Sequence, residues 1–251
     1  MARYVLKYGG TSVADAKRLY AAARTMAALR REGHEVVAVL SAQGGATDAL
    51  LARAREIDPD CGGRELDQLL ATGEICSVSL CAMALQRLGM PAVSLCGWQA
   101  GLETEDRYGS ARVLCLEGDR IERSLAAGSI VLVAGFQGID SRNDVTTLGR
   151  GGSDTTAVAL AAFLHADCCR IYTDVDGVYN RDPRRYPDAV KYDVISYDDM
   201  LTLARGGAQV LHDRCVELAR RYRVTIEVRS AFGSGAGTLV GEKENCGTMN
   251  R

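Results

Sequence analysis

The sequence predicts an α/β protein, a three-layer αβα sandwich around a mainly parallel central sheet. Short β-branched runs alternate with longer segments of helical periodicity along the chain. The run Val36–Leu40 shows no polar alternation, as expected of a strand covered on both faces. Strand–helix alternation of this kind builds parallel sheets with helices on both sides.

Each element has its own local reason. Tyr4–Tyr8 is a short apolar run ended by two glycines and reads as a strand. Val13, Ala16, Tyr20, Ala23 and Ala27 recur at helical spacing, which predicts a helix from Val13 to about Arg31, stopped by Gly33. Glu35–Leu40 is the next strand. A helix opens near Thr47, and a longer one runs from about Arg64 to Leu88 until Gly89-Met90-Pro91 breaks it. Ala92–Leu95 and Ile130–Ala134 are strands. Ser153 begins a helix reaching about His165, and Cys169–Thr173 is again a strand. Ser196–Arg205 and Ala208–Tyr222 are helical, Thr225–Arg229 is a strand, and Thr238–Val240 is a last short one.

The 251 residues, 47% hydrophobic, suffice to bury a large core as one domain or as two lobes sharing a sheet. Thirty basic and 32 acidic residues leave a formal charge of −2, and no basic run suggests a nucleic-acid partner. The N-terminal apolar run is too short for a signal peptide, and no stretch reads as a membrane span, so the expected location is cytoplasmic. The nine cysteines include no Cys-x-x-Cys pair and are expected to be reduced, mostly buried apolar groups. His34, His165 and His212 are not spaced with cysteines as a zinc site requires, so no metal ligands are assigned.

Open α/β sheets bind ligands beyond the carboxyl ends of their strands, and four loops suit that place. Lys7-Tyr8-Gly9-Gly10-Thr11-Ser12 lets backbone N–H groups approach an anion, with Lys7 aimed at it and a Ser12/Asp15 capping box opening the next helix. A plain strand–turn–helix reads equally well there. Ser41 to Asp48 offers hydroxyls and free amides before a helix, and again a simple Gly-Gly connection serves as well. Thr146 to Thr156 is harder to explain as a connector. Arg150 stands among three glycines, suited to a carboxylate or phosphate, and Ser153 and Asp154 open a helix. Tyr172 to Arg184 contains two aspartate turns and reads as a hairpin at the sheet edge, with Arg181 and Arg184 adding positive charge. No Gly-Lys dipeptide exists, so a Walker A loop is excluded, and no intact Gly-x-Gly-x-x-Gly occurs.

These loops, in this order, resemble the amino-acid kinase family and, within it, the aspartate kinases. Lys7–Val13, Thr147–Asp154, Tyr172–Arg184 and Gly97–Gly101 carry the likeness, which runs from Lys7 to about Leu239. The resemblance implies ATP-dependent phosphorylation of the side-chain carboxylate of L-aspartate, with ATP and Mg²⁺ as cofactors and a likeness to homodimeric relatives. It implies an amino-acid-binding lobe over about 1–145 and a nucleotide-binding lobe over about 146–251. Lys7 would contact the transferring phosphoryl group, with Gly9 and Gly10 beside the nucleotide, and Asp154 would orient Lys7. Ser41 and Thr47 would position the substrate carboxylate, Arg150 the α-carboxylate and Glu74 the α-ammonium, with Ser153 donating to a substrate oxygen. Without the resemblance, Glu74 reads as a solvated helix carboxylate. Thr173, Asp174, Tyr179 and Arg184 would line the ATP site. Gln209 stands where the family usually has a nucleotide-binding lysine, and Gln43 where it often has methionine. The resemblance further implies small regulatory domains downstream, so with none within 251 residues no feedback by lysine or threonine is expected. Two other readings stay open, namely a same-fold kinase for another acidic amino acid and a non-catalytic paralogue that only binds its ligands.

Overall fold

The computed structural model describes residues 1–207, 210–233 and 235–242. The first half of the chain runs β1 (Arg3–Tyr8), α1 (Ala16–Arg31), β2 (Glu35–Leu40), α2 (Ala46–Ile57), α3 (Gly63–Arg87), β3 (Ala92–Leu95), β4 (Leu102–Thr104), β5 (Val113–Leu116) and α4 (Asp119–Ala126). It continues through β6 (Ile130–Ala134), β7 (Gln137–Ile139), β8 (Val145–Thr147), α5 (Gly152–Phe163), β9 (Cys168–Thr173), β10 (Val194–Ile195), α6 (Tyr197–Arg205), α7 (Asp213–Tyr222), β11 (Ile226–Ser230) and β12 (Thr238–Val240).

Among the described residues the main sheet has eight strands in the order β10-β12-β11-β9-β1-β2-β6-β3. Every neighbouring pair is parallel except β11 and β12. This is the α/β sandwich expected from the alternation. Strand β1 lies centrally because it is apolar on both faces. Leu6 and Tyr8 face α1 and α3 with Ala38, Leu40 and Met26, while Val5 faces the opposite layer with Val39, Ile171 and Val228. That opposite layer is built from α5, α6 and α7, whose buried side chains join the same cluster.

A second sheet, β5-β4-β7-β8, was not expected. Its strands are three or four residues long, too short to show a period. Helix α4 is also additional, and it holds itself down by Ile121 and Leu125, one turn apart and buried.

Three helix starts differ from expectation. Residues Gly10–Val13 form a 3₁₀ turn rather than the first turn of α1. Asp15, in extended conformation, caps α1 by accepting from the Arg18 N–H at 2.8 Å, while Ser12 is buried and caps nothing. Helix α5 is capped by Gly151 rather than Ser153, with Gly151 at φ 70°. A Cβ there would lie 2.5 Å from the His212 Cβ, so glycine is needed for space as well as conformation. Helix α7 starts at Asp213, where Ala208 was expected; Ala208 and Gln209 lie outside the described residues, and His212 is already extended.

Helix α3 is, among the described residues, long and apolar enough to cross a membrane by length and composition, contrary to the sequence expectation. Half of that apolar window is buried inside the fold, against β3, β6, β8 and α1. Of the eight described cysteines, all free, Cys81, Cys168, Cys169 and Cys215 are buried and Cys76 is exposed.

Candidate active site

The parallel registers bring several loops to one edge of the sheet. Tyr8 is level with Leu40 and Tyr172, Leu40 with Ala134, and Thr173 with Ser230. The chain therefore leaves β1, β2, β6, β9 and β11 on the same side. Backbone bonds stitch these exits together, with Ser41 N–H donating to Tyr8, Gly44 N–H to Gly10 and Gly135 N–H to Leu40. Gly10 is obligatory in this stitching, because a Cβ on it would stand 2.6 Å from the Ala42 carbonyl oxygen. Gln43, the methionine replacement, donates its amide to the Val13 carbonyl at 2.8 Å and so ties the second loop to the first.

The third loop is not an exit from the main sheet; it follows β8 of the small sheet. It still reaches the same place, because α5 packs across β1. Lys7 Nζ and Asp154 Oδ1 are 2.7 Å apart, with side chains 12% and 14% exposed. Gly9 leaves the space beside that ammonium open, since a Cβ there would sit 3.5 Å from Nζ. Arg150 immediately precedes the cap of the same helix, is exposed, and pairs with no acid among the described residues. Ser153 is buried in the first turn of α5, held close to β6 because Gly135 has no side chain. Residue Phe136 follows at φ 69°, a strained conformation of the kind that clusters at functional sites and one that no local sequence signal announces.

Glu74 is buried on α3 and is not a solvated carboxylate. Gly73 allows this, because a Cβ there would lie 2.8 Å from that of Ala42. The Ala42 N–H donates to Glu74 Oε1 at 3.0 Å, while Oε2 is buried with no partner. Burial pushes the Glu74 carboxyl up to about 7, against the opposing pull of the Ala42 N–H. A buried carboxylate with one oxygen unmet is a receptor for a cation. Ser41 is half-buried at the end of β2 and Thr47 half-buried in the first turn of α2, so both flank this carboxylate's loop.

The fourth loop runs past the hairpin expected over Tyr172–Arg184 and folds back only through an isolated antiparallel bridge between Tyr179 and Lys191. Thr173 donates to Asp174, and Arg184 pairs with Asp174 at 2.8 Å, which holds the Asp174 carboxyl below the usual range. Tyr179 donates instead to Asp176 at 2.9 Å. Gln209 lies outside the described residues. Two arginines near it in sequence could replace the lysine charge that the family usually has there; Arg205 pairs with Glu217 at the surface, and Arg214 donates to the carbonyls of Leu148 and Ser110.

Asp67 has a place here that the sequence reading missed. It is 2% exposed on α3. It accepts from the Gly109 N–H at 2.9 Å, the Thr147 N–H at 2.6 Å and the Thr147 hydroxyl at 3.0 Å. Burial raises its carboxyl while these donors pull the other way. Gly149 rests against the Gly109 carbonyl, and Arg214 grips Leu148 from the far side. The segment presenting Arg150 is thus clamped twice.

Residues 2–230 match the model of the amino acid kinase family. The chain belongs to the amino acid kinase family. It is 51% identical over 245 residues to aspartokinase 2 of Bacillus subtilis, covering 98% of this chain and 60% of that protein. Aspartate kinase from Synechocystis superposes with a TM-score of 0.85 at 44% identity, over 96% of this chain and 40% of that one. Escherichia coli aspartokinase III, in complex with aspartate and ADP, gives 0.86 at 29% identity, over 96% of this chain and 64% of that one. The chain spans about 60% of the length of the curated relatives it matches.

In this amino acid kinase the Asp67 clamp has a measurable strength. Asp67→Ala strands two backbone N–H groups in the interior, at about 1–3 kcal/mol each. Denaturant unfolding is expected to show a loss of about 3 kcal/mol. A loss under half that size would mean that water replaces the carboxylate freely.

Proposed function

We propose that this chain transfers the γ-phosphoryl group of ATP to the side-chain carboxylate of L-aspartate, giving 4-phospho-L-aspartate. The observation carrying this reading is the constellation at the sheet edge. The Lys7–Asp154 ion pair stands beside an open glycine loop, in the same edge as a buried carboxylate lacking a cation. The named relatives support the choice of aspartate and ATP over other acidic substrates.

The reacting carboxylate is already ionised at neutral pH and needs no general base. The obstacle is the approach of one anion to another, and fixed positive charge lowers it. Lys7 contacts the transferring phosphoryl group, and Asp154 holds its ammonium in place. Gly10 presents its backbone N–H without an obstructing side chain, while the Gly9 N–H donates to the Tyr172 carbonyl at 3.4 Å and fixes the loop beside the phosphoryl group. Glu74 Oε2 receives the α-ammonium and the unpaired Arg150 the α-carboxylate, which leaves the side-chain carboxylate directed toward Ser41, Thr47 and Ser153. Thr173, Asp174, Tyr179 and Arg184 border the nucleotide. Residues 1–145 then form the amino-acid lobe and 146–251 the nucleotide lobe.

No group of three or more acidic, histidine or cysteine side chains able to hold a metal occurs among the described residues. Mg²⁺ carried on the ATP phosphates would neutralise part of their charge. Pairing of two copies through the exposed Leu80 and Met83 of α3 completes the proposal. A product serving lysine and threonine synthesis in the cytoplasm belongs to the same reading.

Hydroxylamine trapping tests the reaction, because an acyl phosphate gives a hydroxamate. Aspartate, ATP and Mg²⁺ are expected to yield aspartyl hydroxamate, with glutamate and N-acetylglutamate yielding little. No hydroxamate at saturating substrates would end this reading. In the same assay Gln209→Lys is expected to lower the KM for ATP by restoring the lysine charge that the family usually has there; a higher KM would show a site adapted to glutamine.

A further inference from the structure

A cavity of about 1000 Å³ lies away from the Lys7–Asp154 pair, on the opposite face of the sheet. Alternation along β1 explains the separation. Lys7 points toward α5, and its neighbour Tyr8 points toward α1 and lines this cavity. Helix α1 packs on β2, and the cavity lies between α1 and the β9 and β11 side chains Arg170, Tyr172 and Arg229.

Its chemistry is two-sided. The apolar part is the Tyr8 and Tyr172 rings, stacked 4.6 Å apart, with the Ala21, Ala22 and Ala28 stripe of α1 opposite. The polar part carries four cations, Lys17, Arg18, Arg170 and Arg229, against one lining carboxylate, Asp15. Glu227 offsets part of this charge, pairing with Arg170 at 2.7 Å and with Arg229 at 3.4 Å. Arg18 stacks over Phe232 at 5.2 Å and bridges the mouth. The Ser12 hydroxyl is buried along this wall without a hydrogen-bond partner, and the buried Tyr8 hydroxyl lies beside Thr25 and Tyr172. An unmet buried hydroxyl beside an excess of cations marks a place built for a hydrogen-bond acceptor that carries negative charge.

We propose that this cavity is a second binding site, for a small amphipathic anion whose carboxylate, sulfonate or phosphate meets Arg229 and Ser12. Its apolar body lies between the tyrosine pair and the alanine stripe. The occupant sits directly behind the glycine loop, because Ser12 follows Gly9 and Gly10 in the 3₁₀ turn.

Anilinonaphthalene sulfonate has this chemistry and reports its own binding by fluorescence. Titrated into the whole chain with saturating ATP, Mg²⁺ and aspartate, it is expected to bind at one saturable site. Arg229→Gln is expected to weaken binding about tenfold, the effect of one lost charge-assisted hydrogen bond. Ala21→Trp, a change on the exposed side of α1 that fills the cavity, is expected to weaken it at least as much. Thermal melting by circular dichroism confirms that each variant is folded, and either alone suffices if the other is not. Displacement of the probe by ATP, absence of a saturable site, or unchanged affinity in a folded variant would overturn the proposal.

Discussion

Lys7→Met is expected to lower kcat by about a thousandfold, in line with the removal of a preorganised charge from a developing phosphoryl centre. The position allows no substitute. Nζ is 2.7 Å from Asp154 and only 12% of the Lys7 side chain is exposed, so water cannot take over its role. Asp154→Asn leaves the ammonium present but unguided and is expected to cost less. The double variant is expected to be little worse than Lys7→Met alone, because the two groups act as one unit. Single-turnover hydroxamate formation measures all three. Additive losses would mean that Asp154 works on something other than Lys7.

How far such a site can be read from sequence depends on which residues carry it. Lys7, Gly9 and Gly10 were legible because strand–glycine–helix junctions follow from local rules, and the structure puts them at a sheet edge. The third loop was legible as a motif but not as a position. Its strand belongs to the small sheet, whose segments of three or four residues leave no periodic trace. The Gly135–Phe136 turn was missed because its left-handed φ occurs at an aromatic residue, where no sequence rule expects one.

Asp67 and Glu74 are a different case. Asp67, Ala71, Glu74, Val78, Cys81 and Leu85 follow one another at alternating intervals of four and three, and all are buried. Two carboxylates on the inward stripe of an otherwise apolar helix are a signal in themselves. Read by composition alone, Glu74 looked solvated; read by phase, it had to be inside. What the sequence could not supply is the partner of each. Asp67 is met by backbone N–H groups 42 and 80 positions away, and Glu74 by one N–H and an unmet oxygen.

That unmet oxygen makes the affinity for the amino acid depend on pH. With its carboxyl raised to about 7, Glu74 is largely neutral at pH 6 and ionised at pH 8 in the free protein. Only the ionised form attracts an α-ammonium, so KM for aspartate is expected to rise about tenfold from pH 8 to pH 6. Stability runs the other way. The folded-state value lies above the unfolded one, so Glu74's contribution is present in full below about 4.5 and is lost as pH rises through 7. The shift corresponds to about 3 kcal/mol at most. Glu74→Gln keeps an acceptor for the Ala42 N–H but removes the charge. It is expected to raise KM for aspartate about a hundredfold, to flatten its pH dependence, and to melt higher than the parent at pH 8. A parent KM that is flat between pH 6 and pH 8 would remove Glu74 from the ammonium site. A Glu74→Gln protein that melts lower at pH 8 would show that the buried carboxylate already has a cation the geometry does not reveal.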